Sequence, residues 1–243
     1  MKYLFLHGLS GSHHNFDQLR PYFEETEAFD LPGHGRAEKP RRIYDKHYLI
    51  QYVRARIHEP VVLVGHSMGA ILAKDIALAY PELVRAVIAI SYPLHSSNAA
   101  LRRAVLARPL LGEYARETLL SKILCYSKHV WKWFFLPFIY LFNRERYPSI
   151  RDNFIHTNQA ITSIIQDYLL HDDGTELQRI KEKTFLIFGK QDNLIDHSYA
   201  RTFHHLEVPH MAHQFFNFED IIAKGIKQFI DKQVCFRRFA RKK

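Results

Sequence analysis

The pentapeptide Gly65-His66-Ser67-Met68-Gly69 sets one hydroxyl between two glycines, in the spacing Gly-x-Ser-x-Gly. Residues 61–64, Val-Val-Leu-Val, precede it and read as a buried strand of a parallel sheet. Residues 70–80 continue as a helix, with Pro81 just past its end. A serine on such a strand-to-helix turn is held in a strained backbone conformation, its Oγ standing at the strand end beside the helix N-terminus. A serine hydroxyl is a weak nucleophile by itself. Chemistry at Ser67 therefore requires a histidine to take its proton, a carboxylate to orient that histidine, and donors for a developing oxyanion.

Two carboxylates and two histidines compete for those roles. Asp192 follows a predicted strand over residues 184–188, so it shares the carboxyl edge of the sheet with Ser67. Asp196 reads better as the N-cap of a helix starting at His197. His213 lies in the loop between the last short strand and the last helix, next to an aromatic turn at Phe215, Phe216 and Phe218. His210 is the alternative base, three residues earlier. For the oxyanion, the backbone N–H of Met68 is one candidate donor. The N–H of Leu9, in the loop His7-Gly8-Leu9 after the first strand, is the other. His7 and His66 flank the site and read as local hydrogen-bonding residues. The four histidines 7, 66, 210 and 213 lack a metal-ligand spacing. No phosphate-binding glycine loop occurs.

The elements that must position these groups alternate along the chain. Strands are predicted at residues 2–6, 27–30, 61–64, 84–90, 184–188 and 206–208. Helices are predicted at 16–24, 44–58, 70–80, 197–204 and 218–230. Such alternation implies parallel pairing through right-handed crossovers. Asp30-Leu31-Pro32-Gly33-His34-Gly35 reads as a structural turn. The alternation stops at Pro93. Residues 94–177 show helical patterns only, best at 99–107, 114–122 and 158–170, with an aromatic run at 131–142 interrupted by Pro137.

Five pieces in register, Leu6-His7-Gly8, Asp30-Leu31-Pro32-Gly33-His34-Gly35, Gly65-His66-Ser67-Met68-Gly69, Gly189-Lys190-Gln191-Asp192 and the His213 loop, resemble the α/β-hydrolase superfamily in its branch of small esterases and carbon–carbon-bond hydrolases. The resemblance implies an α/β fold with a mostly parallel sheet, lacking the family's usual N-terminal hairpin. The core comprises residues 1–93 and 178–243, and a helical lid is inserted at 94–177. It further implies Ser67, Asp192 and His213 as catalytic triad, Leu9 and Met68 as oxyanion hole, and no metal or organic cofactor. Trp133, Phe134 and Phe138 of the aromatic run are the expected substrate contacts in the lid. The implied reaction is cleavage of an ester or thioester with an apolar acyl chain. Acyl transfer, carbon–carbon hydrolysis and a non-catalytic binder on the same fold are the alternatives. The family's Gly-His before the last loop reads Ala212-His213 here, which leaves the close backbone approach there in question.

Composition bounds the partners. The chain has 243 residues, 47% of them hydrophobic, a formal net charge of +9 and two cysteines. Those values suit one globular core in a reducing setting, with a cytoplasmic location expected, either free or peripheral to a membrane. The N-terminus reads as lacking a signal peptide, and no run is long enough to span a bilayer. Residues 99–151 carry ten Lys/Arg against three Asp/Glu. With the aromatic run, this excess fits a lid whose apolar face packs on the core and whose charges are solvated, an anionic membrane surface, or an acidic carrier protein. A basic tail at 236–243 would serve either partner or keep the chain soluble. No motif supports nucleic-acid binding.

Overall fold

Six strands form one sheet in the order β2-β1-β3-β4-β5-β6, and every neighbouring pair is parallel. They are β1 (Lys2–Leu6), β2 (Glu25–Ala28), β3 (Val61–His66), β4 (Val84–Ile90), β5 (Thr184–Gly189) and β6 (His204–Val208). The computed structural model describes residues 1–240, with side chains described through residue 234. The chain order reverses between β1 and β3, which opens a crevice at their carboxyl ends. β3 and β5 are buried along their whole length, as expected for central strands covered on both faces.

Alternate strand residues point into two cores. Leu4, Leu6, Leu63, Val87 and Phe188 meet α1 (Lys46–Arg54), α2 (Met68–Ala79) and the helical stretch after β4. Phe5, Val62, Val64, Ile88 and Ile187 meet Phe16, Phe23, Phe215 and the last helix. Residues 16–24 are not the predicted helix but two tight turns, His13–Phe16 and Arg20–Tyr22. Pro21 has no N–H to continue an α-helix there and clashes with the turn before it.

The stretch between β4 and β5 contains no strand among the described residues. It comprises α3 (Asn98–Leu106), α4 (Pro109–Ala115), α5 (Leu119–Phe142), α6 (Tyr147–Asp152) and α7 (Asn158–Ser163), then a wide turn over Ile164–Tyr168. The predicted helix over 114–122 is divided: Glu117 adopts left-handed backbone at φ 54, and Thr118 caps a new helix by accepting from Ser121 N–H. That helix runs unbroken through Pro137 to Phe142, so the aromatic run is one helix rather than two. The α7 pattern gives way at Ser163, whose Oγ accepts from Tyr44 N–H and donates to Asp167.

A buried ionic cluster fastens this stretch to α2. Lys74 Nζ lies 2.6 Å from Asp172 and 3.2 Å from both Asp75 and Glu176. The hydroxyls of Tyr92 and Tyr168 donate to Asp172 and Asp75. Burial alone would lower the Lys74 pKa, but the surrounding carboxylates raise it above its ordinary value. After β5 come α8 (His197–Ala200), shorter than predicted because β6 begins at His204, and α9 (Glu219–Ala240). Between residues 230 and 240 no glycine or proline stops α9, so it runs ten residues past its predicted end. The basic tail therefore starts as helix. Its side chains, and residues 241–243, lie outside the described part.

Candidate active site

Ser67 sits between β3 and α2 with φ 53 and ψ −117, backbone that a non-glycine residue adopts only under constraint. The constraint is local. Ser67 N–H donates to the Ile90 carbonyl of β4, and Ser67 C=O accepts from Ala70 N–H of α2. A Cβ on Gly69 would stand 2.0 Å from the Leu6 carbonyl oxygen, so only glycine lets α2 start this close to β1. Ser10, Ser91 and His210 also take positive φ, each in a loop just past a strand's carboxyl end.

Asp192 follows β5 and is 1% exposed. One carboxylate oxygen accepts from Leu194 N–H at 3.0 Å, and the other lies 2.9 Å from His213 Nδ1. His213 Nε2 lies 2.9 Å from Ser67 Oγ. Residues separated by 146 and 21 positions thus form one unbroken hydrogen-bond chain, Asp192–His213–Ser67. Such a chain can pass the serine proton to an imidazole whose tautomer the carboxylate fixes. Asp196 instead caps α8, accepting from Tyr199 N–H. His210 is an exposed turn residue at φ 63. The structure brings together the favoured member of each pair and leaves the other outside.

Backbone contacts hold the acid and base loops to each other. Lys190 N–H donates to Val208 C=O, and Gln191 N–H to Met211 C=O. A Cβ on Gly189 would stand 2.0 Å from the Met211 carbonyl oxygen. The close approach that Ala212 left in question is supplied from the opposite side, by Gly189 at the end of β5.

His66 and His7 make the local hydrogen bonds expected of them. His66 Nε2 bonds the His213 carbonyl at 3.0 Å, and burial with the neighbouring His213 pushes its pKa down to about 3. It is therefore neutral and donates from Nε2, tethering the His213 backbone. His7 Nε2 accepts from Leu31 N–H, and its Nδ1 donates to Gly8 C=O. Burial lowers its pKa to about 4. His7 thereby ties the Gly8-Leu9 loop to the turn at Leu31. A Cβ on Gly8 would come 3.2 Å from Ser67 Cβ, so that loop packs flat on the elbow. Met68 is buried at the first turn of α2.

A cavity of about 520 Å³ opens beside the elbow, lined by Gly8, Leu9, His66 and Gln214 from the core and by Leu110, Leu124, Lys128 and His156 from the helical stretch. Trp133, Phe134 and Phe138 do not line it. They stand 74%, 69% and 61% exposed on the outer side of α5. Sequence reasoning missed Lys128, which is 9% exposed and donates to the His156 carbonyl. Burial lowers its pKa from the ordinary lysine value. The signal was present as a polar stripe, Ser121-Cys125-Lys128, spaced one helical turn apart within an apolar helix. Outside the site, His13, His14 and Asp152 each offer one ligand atom within 4.8 Å of the others. That is the group among the described residues able to hold an ion.

A sequence profile of the family described as "alpha/beta hydrolase fold" matches residues 4–222. The chain belongs to that family. Within the α/β-hydrolase fold, the likeness to particular proteins is local. A 2-(acetamidomethylene)succinate hydrolase of Mesorhizobium japonicum is 32% identical over 105 residues, 40% of this chain and 38% of the relative. A pimeloyl-[acyl-carrier protein] methyl ester esterase of Neisseria meningitidis is 33% identical over 120 residues, 46% of this chain and 44% of the relative. The chain thus spans less than half the length of these relatives. The crystal structure of E-2-(acetamidomethylene)succinate hydrolase superposes with a TM-score of 0.68 at 21% identity, covering 95% of this chain and 92% of that one. MenH from S. aureus superposes with a TM-score of 0.66 at 17% identity, covering 96% and 94%. At those identities the superpositions establish the α/β-hydrolase fold.

Proposed function

We propose that this chain is a serine hydrolase that cleaves a carboxylic ester or thioester through an acyl-enzyme. The observation that carries the proposal is the hydrogen-bond chain from Asp192 through His213 to Ser67 Oγ. His213 takes the Ser67 proton as Oγ attacks the carbonyl, and the N–H groups of Leu9 and Met68 hold the oxyanion. The alcohol or thiol leaves with a proton from His213. Water, deprotonated by the same imidazole, then cleaves the acyl-enzyme. Asp192 keeps Nδ1 protonated and stabilises the imidazolium. Residues 94–177 act as a lid on the core formed by 1–93 and 178–243, closing the cavity over the elbow. Its walls, Leu9, Leu110, Leu124 and Phe216, suit an apolar acyl chain, and the Lys128 ammonium suits a polar or anionic group on it.

A carrier-linked acyl ester is a second form of this substrate. It is favoured by the pimeloyl-[acyl-carrier protein] esterases among the relatives and by the cationic excess of residues 99–151. A panel of p-nitrophenyl esters of rising chain length tests the proposal. Turnover should rise with acyl length until the cavity is filled, and Ser67→Ala should remove it. A flat profile unaffected by Ser67→Ala would assign the fold to binding. Product transferred to a competing alcohol instead of water would assign it to acyl transfer.

A further inference from the structure

Helix α5 is built inside out. Its buried residues are Ser121, Cys125 and Lys128, while thirteen of its 24 residues are large apolar or aromatic side chains exposed to solvent. A helix packed on a protein core in water turns its apolar stripe inward. Here the inward stripe is polar, and its Lys128 lines the cavity beside Leu124. The outward face far exceeds the scattered apolar exposure of an ordinary surface and needs an apolar medium against it.

Charge decides which medium. Outside its inward stripe the helix carries Lys122 and Lys132 and no carboxylate, and exposed Arg144, followed by Glu145, stands just past its end. Two copies packed face to face through α5 would bring like charges together without a partner on either helix. An anionic surface meets them with opposite charge. The helix is about 36 Å long at 1.5 Å per residue, yet no helix among the described residues is long and apolar enough to cross a membrane. Lysines, a Pro137 interior and Trp/Tyr rings among aliphatic side chains are the composition of a helix lying in the headgroup zone.

We propose that the outer face of α5 docks this protein on an anionic phospholipid bilayer, with the helix along the surface, its aromatic side chains at the acyl boundary, and Lys122, Lys132 and Arg144 among the phosphates. The docked helix would keep its polar side on the cavity, so the site would open next to the lipid. Docking does not depend on the hydrolytic chemistry proposed above, and its readout needs no turnover.

The chain's two tryptophans, Trp131 and Trp133, both lie on α5, 53% and 74% exposed. Tryptophan emission therefore reports on this face alone. The full chain is titrated with phosphatidylcholine vesicles, with vesicles containing phosphatidylglycerol, and with both carrying brominated acyl chains. The expected result is a blue shift, quenching by bromine, and co-sedimentation that strengthens with phosphatidylglycerol. Lys122→Gln/Lys132→Gln should weaken binding to the anionic vesicles by about fivefold per lysine. Val130→Asp/Leu141→Asp, with unchanged circular dichroism, should lose binding to both vesicles. Unshifted emission without co-sedimentation overturns the proposal, as does binding by the double aspartate variant equal to the parent's. Emission already blue-shifted in a concentration-dependent dimer would give the face to a second copy. Retention on an acidic carrier protein without vesicle binding would give it to a protein. Either result overturns docking on lipid.

Discussion

At the scale of single residues, paired candidates separate by what else holds them. Asp192 is buried, with both oxygens engaged, one of them by His213. Asp192→Asn should lower kcat by about four orders of magnitude, because the wrong tautomer of His213 then faces Ser67. Asp196→Asn should leave kcat within about twofold, since asparagine caps a helix as well as aspartate. Steady-state kinetics on the two variants checks both outcomes. His66 is a positioning residue: its Nε2–H holds the His213 carbonyl. His66→Ala should lower kcat more than it raises KM. His66→Gln, which keeps a donor of similar reach, should restore part of the loss. The meeting of Ser67, Asp192 and His213 at one edge of the sheet was legible in the sequence because each residue stands within a few positions of a strand end. Lys128 was not assigned a role. A lysine in an apolar helix reads as a solvated charge until its helix is known to face inward there.

At the scale of elements, β5 and the loop after β6 act as one unit. Gly189→Ala would drive a Cβ into the Met211 carbonyl oxygen, a backbone atom that cannot rotate away. The His213 loop must then shift, and a displacement near 1 Å at the reacting groups costs about a hundredfold in rate. Gly189→Ala should therefore lose kcat along with some thermal stability, read by kinetics and a melting curve. On the opposite face, Lys74→Met would leave Asp172 buried without its cation, while Lys46 stays 2.8 Å from Asp75. The expected loss is about 3–5 kcal/mol, measured by denaturant unfolding. Strands and central helices were legible element by element, since burial on both faces writes continuous apolar runs at β3, at β5 and over residues 86–90 of β4. The helical stretch was legible as helical but not in its divisions. Glu117 leaves the helix by a left-handed turn that no glycine announces, and Pro137 fails to end α5. Which way α5 faces is decided by tertiary packing, and an apolar helix with a polar stripe reads as an ordinary core helix until its outer side is seen.

At the scale of the whole molecule, four histidines are buried in uncharged form. Burial lowers His7 to about 4, His66 and His156 to about 3, and His34 well below its usual value. In the unfolded chain each titrates near the ordinary 6.5, so below that pH the unfolded state binds more protons. The stability these groups contribute is complete above about pH 6.5. It is lost as pH falls toward 4, at up to about 1.4 kcal/mol per pH unit for each histidine. His13 works in the opposite direction, its pKa raised chiefly by its hydrogen bond with Asp30, but it is one group against four. The melting temperature should therefore fall by several degrees or more between pH 7 and pH 5. A flat profile would mean that these imidazoles reach water. The sheet order explains why the site is where it is. The chain order reverses between the paired strands β1 and β3, and the Leu9 loop and Ser67 lie at their carboxyl ends.

The central claim is that Ser67 is a nucleophile activated by His213, and covalent labelling tests it most directly. The full chain, treated with a fluorophosphonate and analysed by mass spectrometry, should carry one adduct mapped to Ser67. Labelling should be absent in Ser67→Ala and slowed by several orders of magnitude in His213→Ala. A folded protein that stays unlabelled, or that labels at another serine with the same rate in both variants, would contradict it.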